Sequence, residues 1–125
     1  MIRRIAANAI LVLLIGCSNG RHAGIERAVQ HASTLVVEVD ALEKLEHTET
    51  MQSLPESDWP AGIRKLDPEA VRIAHDGVFV QQRSRFVGEV GIFIAFAGKH
   101  VNTEPGQDPA FKLIADRLYS YKIKG

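Results

Sequence analysis

The sequence predicts an α+β domain: a long N-terminal helix and a short second helix packed on a small antiparallel sheet of about four strands. Three observations carry this reading. Ile25, Ala28, Ala32, Leu35, Val39 and Leu42 recur at alternating steps of three and four, which places them on one stripe of a helix. Asp76-Gly77, a favoured two-residue turn, separates two runs of alternating apolar residues. Tyr119, Tyr121 and Ile123 alternate with Ser120, Lys122 and Lys124, as in a half-buried strand.

Taken in order, the first helix is predicted from Gly24 to about Gln52, with Leu45 and Met51 broadening its apolar side. Leu35-Val36-Val37-Glu38-Val39 is rich in β-branched residues and favours a strand. The flanks Glu26–Gln30 and Ala41–Glu46 are good helix formers and decide for helix. Its stripe needs a cover, either the sheet or a second copy of the chain in a homodimer. Leu54-Pro55 through Trp59-Pro60 ends the helix in a loop, and Asp67-Pro68 reads as an N-cap and first position of a single helical turn.

The hairpin is predicted to pair His75 with Val78, Ile73 with Val80 and Val71 with Gln82, leaving Arg72, Ala74, Phe79 and Gln81 on the other face. Gln82–Arg85 is a polar turn. A strand then runs from about Phe86 to Ala97, with Val90, Ile92 and Ile94 on one face and Glu89, Phe93 and Ala95 on the other. Gly98–Gln107 is a polar loop. Asp108-Pro109 starts a short helix over 109–118, with Phe111, Ile114, Ala115 and Leu118 on one side.

The first residues have a different character. Met1-Ile2-Arg3-Arg4 is followed by a run from Ile5 to Gly16 that is apolar except for Asn8. As a helix that run reaches only about 18 Å, against roughly 30 Å of bilayer hydrocarbon, so it reads as an export signal rather than a span. Leu14-Ile15-Gly16-Cys17 then resembles the lipobox of bacterial lipoprotein precursors. The resemblance implies that residues 1–16 are removed as a signal peptide and that Cys17 carries lipid. Residues 17–24 would be a lipidated tether and 25–125 a single domain. Ser18 in place of aspartate favours the outer membrane, so the implied location is the cell envelope, facing the periplasm. A lipobox cysteine supplies two or three acyl chains, enough for stable anchoring. Farther on, the spacing of Pro60, Ile63, Leu66, Pro68, Val71 and Ile73 resembles small bacterial proteins with no activity attached to the pattern.

Composition narrows the function. The chain has 15 basic and 15 acidic side chains. Removal of Arg3 and Arg4 leaves a slight acidic excess, so there is no basic surplus to attract nucleic acid. Cys17 is the only cysteine, which excludes internal disulfides. No nucleophile elbow, phosphate-binding glycine loop or paired-histidine motif occurs. Glu43 and His47 stand four apart on the predicted helix, but two ligands fall short of a zinc site. His75 fills an edge position or caps the turn rather than acting as a base, and His100 sits in a polar loop. Arg83, Arg85, Lys99, Lys122 and Lys124 could gather at one sheet end, as a phosphate or lipid-head site or, the preferred reading, as solvation of turns and protection of a sheet edge.

The resulting expectation is a membrane-anchored, non-catalytic binding or accessory module without cofactor or metal, working with another envelope protein. The alternatives are an inhibitor or immunity-type protein against an envelope enzyme and a small envelope hydrolase. The expected binding face is Phe79 with Phe93, rimmed by Trp59, unless the 109–118 helix covers it and makes both phenylalanines core.

Overall fold

The computed structural model describes residues 20–44, 51–85 and 88–124. Cys17, the rest of residues 1–19 and His47 lie outside them. Among the described residues the domain is mostly β: one antiparallel sheet of six strands with only short helices. In chain order the elements are α1 (Gly20–Gln30), α2 (Ala32–Glu43), β1 (Gln52–Ser53), a single 3-10 turn (Glu56–Asp58), α3 (Ala61–Arg64), β2 (Ala70–Ile73), β3 (Gly77–Arg85), β4 (Gly88–Ala95), β5 (Ala110–Ala115) and β6 (Leu118–Lys124). The strands lie in the order β1-β2-β3-β4-β6-β5.

This corrects the expected α+β architecture of one long helix over four strands. The long helix is two helices that meet at His31, whose φ of −111° departs from helical values. Hydrogen bonds still bridge the break, from His31 N to Arg27 O and from Leu35 N to His31 O. The expected stripe does face the sheet: Ala28, Leu35, Val39 and Leu42 are buried, and Ile25 and Ala32 pack beside them. The helix stops at Glu43 rather than Gln52, and Gln52–Ser53 instead adds a strand to β2.

The expected helix at 109–118 is also corrected. Residues 110–115 form β5, paired with β6 through a turn at Asp116-Arg117. Leu113 pairs with Tyr119 but Ala115 with Leu118, so Ile114 is an extra residue in the ladder. Such a bulge shifts the side-chain phase. Phe111 joins one face of the sheet, while Ile114, Ala115 and Leu118 join the other. Ile114 and Ala115 thus stand four and three residues before Leu118 on one face, as in a helix stripe, whereas Phe111 does not share that face.

In the first hairpin, the faces are as expected but the register is not. Val71 pairs with Val80, Arg72 with Phe79 and Ile73 with Val78, and Ala74 N donates to Gly77 O. The turn residues are thus His75-Asp76. The pairing differs by two positions, which preserves the facing of every side chain. The expected polar turn at 82–85 is strand: β3 runs on to Arg85, with a bulge at Gln82.

Two cores lie on the two sides of the sheet. On the helix side, Leu35, Val39, Ile63, Val71, Val78, Val80, Ile92, Ile94, Phe96 and Leu118 are almost wholly excluded from solvent. Glu38 fastens the small α3 onto α2: its carboxylate accepts from Gly62 N at 2.8 Å and Ile63 N at 3.1 Å, two donors left free by the start of that helix. Arg117, at φ 62° in the β5–β6 turn, ties that turn to α2 through Asp40 and donates to Ala95 O. The Arg117 guanidinium holds the Asp40 carboxyl below its usual range, opposed by partial burial. What stability the pair contributes is present above the ordinary carboxylate range and is lost as pH falls through the lowered value.

The other side of the sheet is filled by Phe79, Phe93, Phe111, Tyr119 and Tyr121, with Ala74, Ala95 and Val101. No helix among the described residues lies on it. The rings shield one another: Phe79 lies 4.6 Å from Phe93 and 5.0 Å from Tyr121 between centroids, and Phe93 lies 5.1 Å from Phe111. Tilted and edge-on arrangements at such distances are the favourable ones for aromatic pairs.

Candidate functional site

The helix layer does not cover the whole sheet. Where α1 begins, a groove of about 280 Å³ opens over the ends of β4, β6 and β5. Ile25 of α1 forms one wall, Val90 and Ile92 of β4 the other, and Ser120, Lys122 and Lys112 complete the β6–β5 side. The space exists for local reasons. Ser120 and Ala110, both short side chains, are among the residues that line it. The bulge at Gln82 also meets Gly24 of α1, where a Cβ would lie 2.8 Å from the Gln82 side-chain oxygen, so the start of α1 is seated at that level.

Charge gathers at the groove's open side. Lys112 pairs with Ser120 across the ladder and Lys122 pairs with Ala110. The two lysines therefore stand diagonally on one face, roughly 7–8 Å apart by strand geometry. Both are exposed, and neither is in an ion pair among the described residues. Arg83, opposite Val90, and Lys124, beyond Lys122, lie on the same side of the sheet. Lys99 does not: it follows the other end of β4. No carboxylate and no imidazole among the described residues lines the groove. The arrangement offers an apolar wall, a hydroxyl and two cations, which suits recognition of shape and negative charge.

A second polar group lies on the aromatic side. Tyr121 Oη donates to Glu89 Oε2 at 2.5 Å, and Arg72 pairs with the same carboxylate. Arg72 also donates to Gln81 Oε1 at 2.8 Å, Gln81 donates to Glu69 Oε1 at 3.1 Å, and the Arg72 guanidinium lies 5.8 Å from the Phe79 ring centre. Every member is engaged, and a satisfied part-buried network of this kind rigidifies the sheet. Burial, and then the Glu89 carboxylate, push the Tyr121 hydroxyl above its ordinary range. Because the folded value is raised, the stabilisation is fully present below about pH 10 and is lost as pH rises above it. An alkaline titration is expected to leave Tyr121 un-ionised until the fold is lost, seen as a late rise in tyrosinate absorbance that coincides with loss of near-ultraviolet circular dichroism. Complete ionisation of both with the fold intact would contradict this placement.

The structure brings Phe79 and Phe93 together, 5 % and 0 % exposed, in the aromatic layer. Trp59 is not beside them. It packs against the helix-side core, and its indole donates to Leu54 O at 2.9 Å. The three residues do not form one surface. His31, His75 and His100 are exposed and separate, and among the described residues no three His, Cys, Asp or Glu side chains gather as a metal site. No helix among the described residues is long and apolar enough to cross a membrane. The groove was missed by sequence reasoning because it joins three distant segments. The available signal was the pairing of small with cationic residues, Ala110 with Lys112 and Ser120 with Lys122, at alternate positions of two neighbouring strands.

No family model matches the chain, and no curated protein or solved structure matches it either.

Proposed function

We propose that the chain is a lipid-anchored protein of the cell envelope, facing the periplasm from the outer membrane, whose domain is a non-catalytic binding module with the groove as its binding site. The observation that carries the reading is the groove itself: an open apolar cleft with two lysines at its rim that are unpaired among the described residues, and no acid–base pair among the described residues along its lining. The lipobox-like Leu14-Ile15-Gly16-Cys17 supports the anchor. Ile25, in the groove wall, follows Cys17 by eight residues. Three extended steps to Gly20 and the helical rise from there to Ile25 limit the span to about 18 Å. Lipid at Cys17 therefore keeps the groove close to the bilayer surface.

Cell fractionation tests the reading. The natural chain is expected in the membrane fraction and to resist extraction by salt. Cys17→Ser is expected to lose the lipid-modified form, while Lys112→Gln with Lys122→Gln keeps it. A Cys17→Ser chain that is modified and membrane-bound like the natural one would overturn the anchor.

A further inference from the structure

We infer that the groove takes a single-chain amphiphile with an anionic head, its chain along Ile25, Val90 and Ile92 and its carboxylate or phosphate between Lys112 and Lys122. The inference rests on the domain being a binding module and names the ligand of that same groove. Three observations carry it. The volume of about 280 Å³ is just below the range of roughly 300–1,000 Å³ usual for drug-sized ligands, which suits one acyl chain and not a pair. The walls are apolar at the helix and β4, so an aliphatic chain is the group they would desolvate. At the rim, Lys112 and Lys122 are like charges held on one face by the β5–β6 ladder, with no carboxylate paired to either among the described residues. An anion between them turns mutual repulsion into two attractions, and the Ser120 hydroxyl directly across from Lys112 supplies a further donor to the head.

The charge and the chain are separable in one experiment. The full chain carrying Cys17→Ser, so that no acyl chain of its own competes, is titrated by calorimetry with dodecanoate, dodecyl phosphate and uncharged dodecanol below their aggregation limits. One molecule of dodecanoate or dodecyl phosphate is expected to bind per chain, and dodecanol several-fold more weakly. The ratio between the two anions tells a carboxylate source from a phosphate source. Lys112→Gln with Lys122→Gln, both at exposed positions, is expected to weaken both anions by about an order of magnitude and to leave dodecanol unchanged. Ser120→Leu, which fills the groove, is expected to weaken all three. Circular dichroism checks that each variant retains its sheet. No binding of either anion, equal anion binding by the natural and double-lysine forms, or an equal loss of dodecanol would overturn the inference. Fractionation reads the anchor independently: absent binding of both anions with intact anchoring removes the ligand, whereas intact anion binding with absent anchoring removes only the envelope reading.

Discussion

Phe93→Ala is expected to destabilise the domain by about 3–5 kcal/mol, the range for deleting a fully buried phenylalanine. Phe93 is wholly excluded from solvent although no helix among the described residues lies on its side of the sheet. Its neighbours are Phe79, Phe111 and Tyr119 at 4.6, 5.1 and 6.3 Å between ring centres. They stand on three different strands whose backbones are fixed by ladder bonds. Such a site collapses poorly around a void, which puts the cost toward the upper part of the range. Gly77 adds a second constraint, because the Phe93 ring already occupies the space a Cβ there would need, 2.5 Å away. Urea unfolding reads the effect as a lower midpoint with unchanged slope. A change below about 1 kcal/mol would mean that the aromatic layer behaves as surface. Phe79 and Phe93 would then regain the role of an exposed binding face.

The second large effect is expected at Gly91. In the middle of β4 it faces Gln81 on one side and Tyr121 on the other. A methyl group there would lie 2.2 Å from the Val80 carbonyl oxygen and 2.8 Å from the Tyr121 ring. Backbone in the β3–β4 ladder cannot retreat without breaking pairing at the centre of the sheet. Gly91→Ala is therefore expected to cost at least the 1–3 kcal/mol typical of overpacking. The nearest atom decides the cause. Because it is the Val80 oxygen, Tyr121→Leu is not expected to rescue Gly91→Ala. A rescue in the double variant, measured as positive coupling in a denaturant cycle, would show instead that ring crowding dominates.

What was legible in the sequence follows from how far each signal reaches. The stripe from Ile25 to Leu42 is a local amphipathic pattern, and it does turn to the core. The break at His31 carries no glycine or proline, so nothing in the sequence punctuates it. The alternation in the hairpin and in β4 placed side chains on the correct faces, since a two-position difference in register leaves a period of two unchanged. The bulge at Ile114 defeated the same logic by shifting the phase within β5, and the strand took on a helix spacing. Trp59 read as the rim of the Phe79–Phe93 face, yet it belongs to the other core, because a loop's direction is set by long-range packing and by the bond of its indole to Leu54. Of the groove's lining, Ile25, Val90, Ile92, Ser120 and Lys122 were placed on their elements by the sequence, but nothing in it brought them together. The groove's depth depends on where α1 ends up over β4 and on short residues in two strands.

The proposed attachment of the groove-bearing domain to a membrane through Cys17 is read most plainly from the intact mass of the natural protein extracted from membranes. The expected result is a chain that starts at Cys17, lacks residues 1–16 and carries the added mass of its acyl chains. A chain that retains Met1 and a free, alkylatable Cys17 thiol would contradict it.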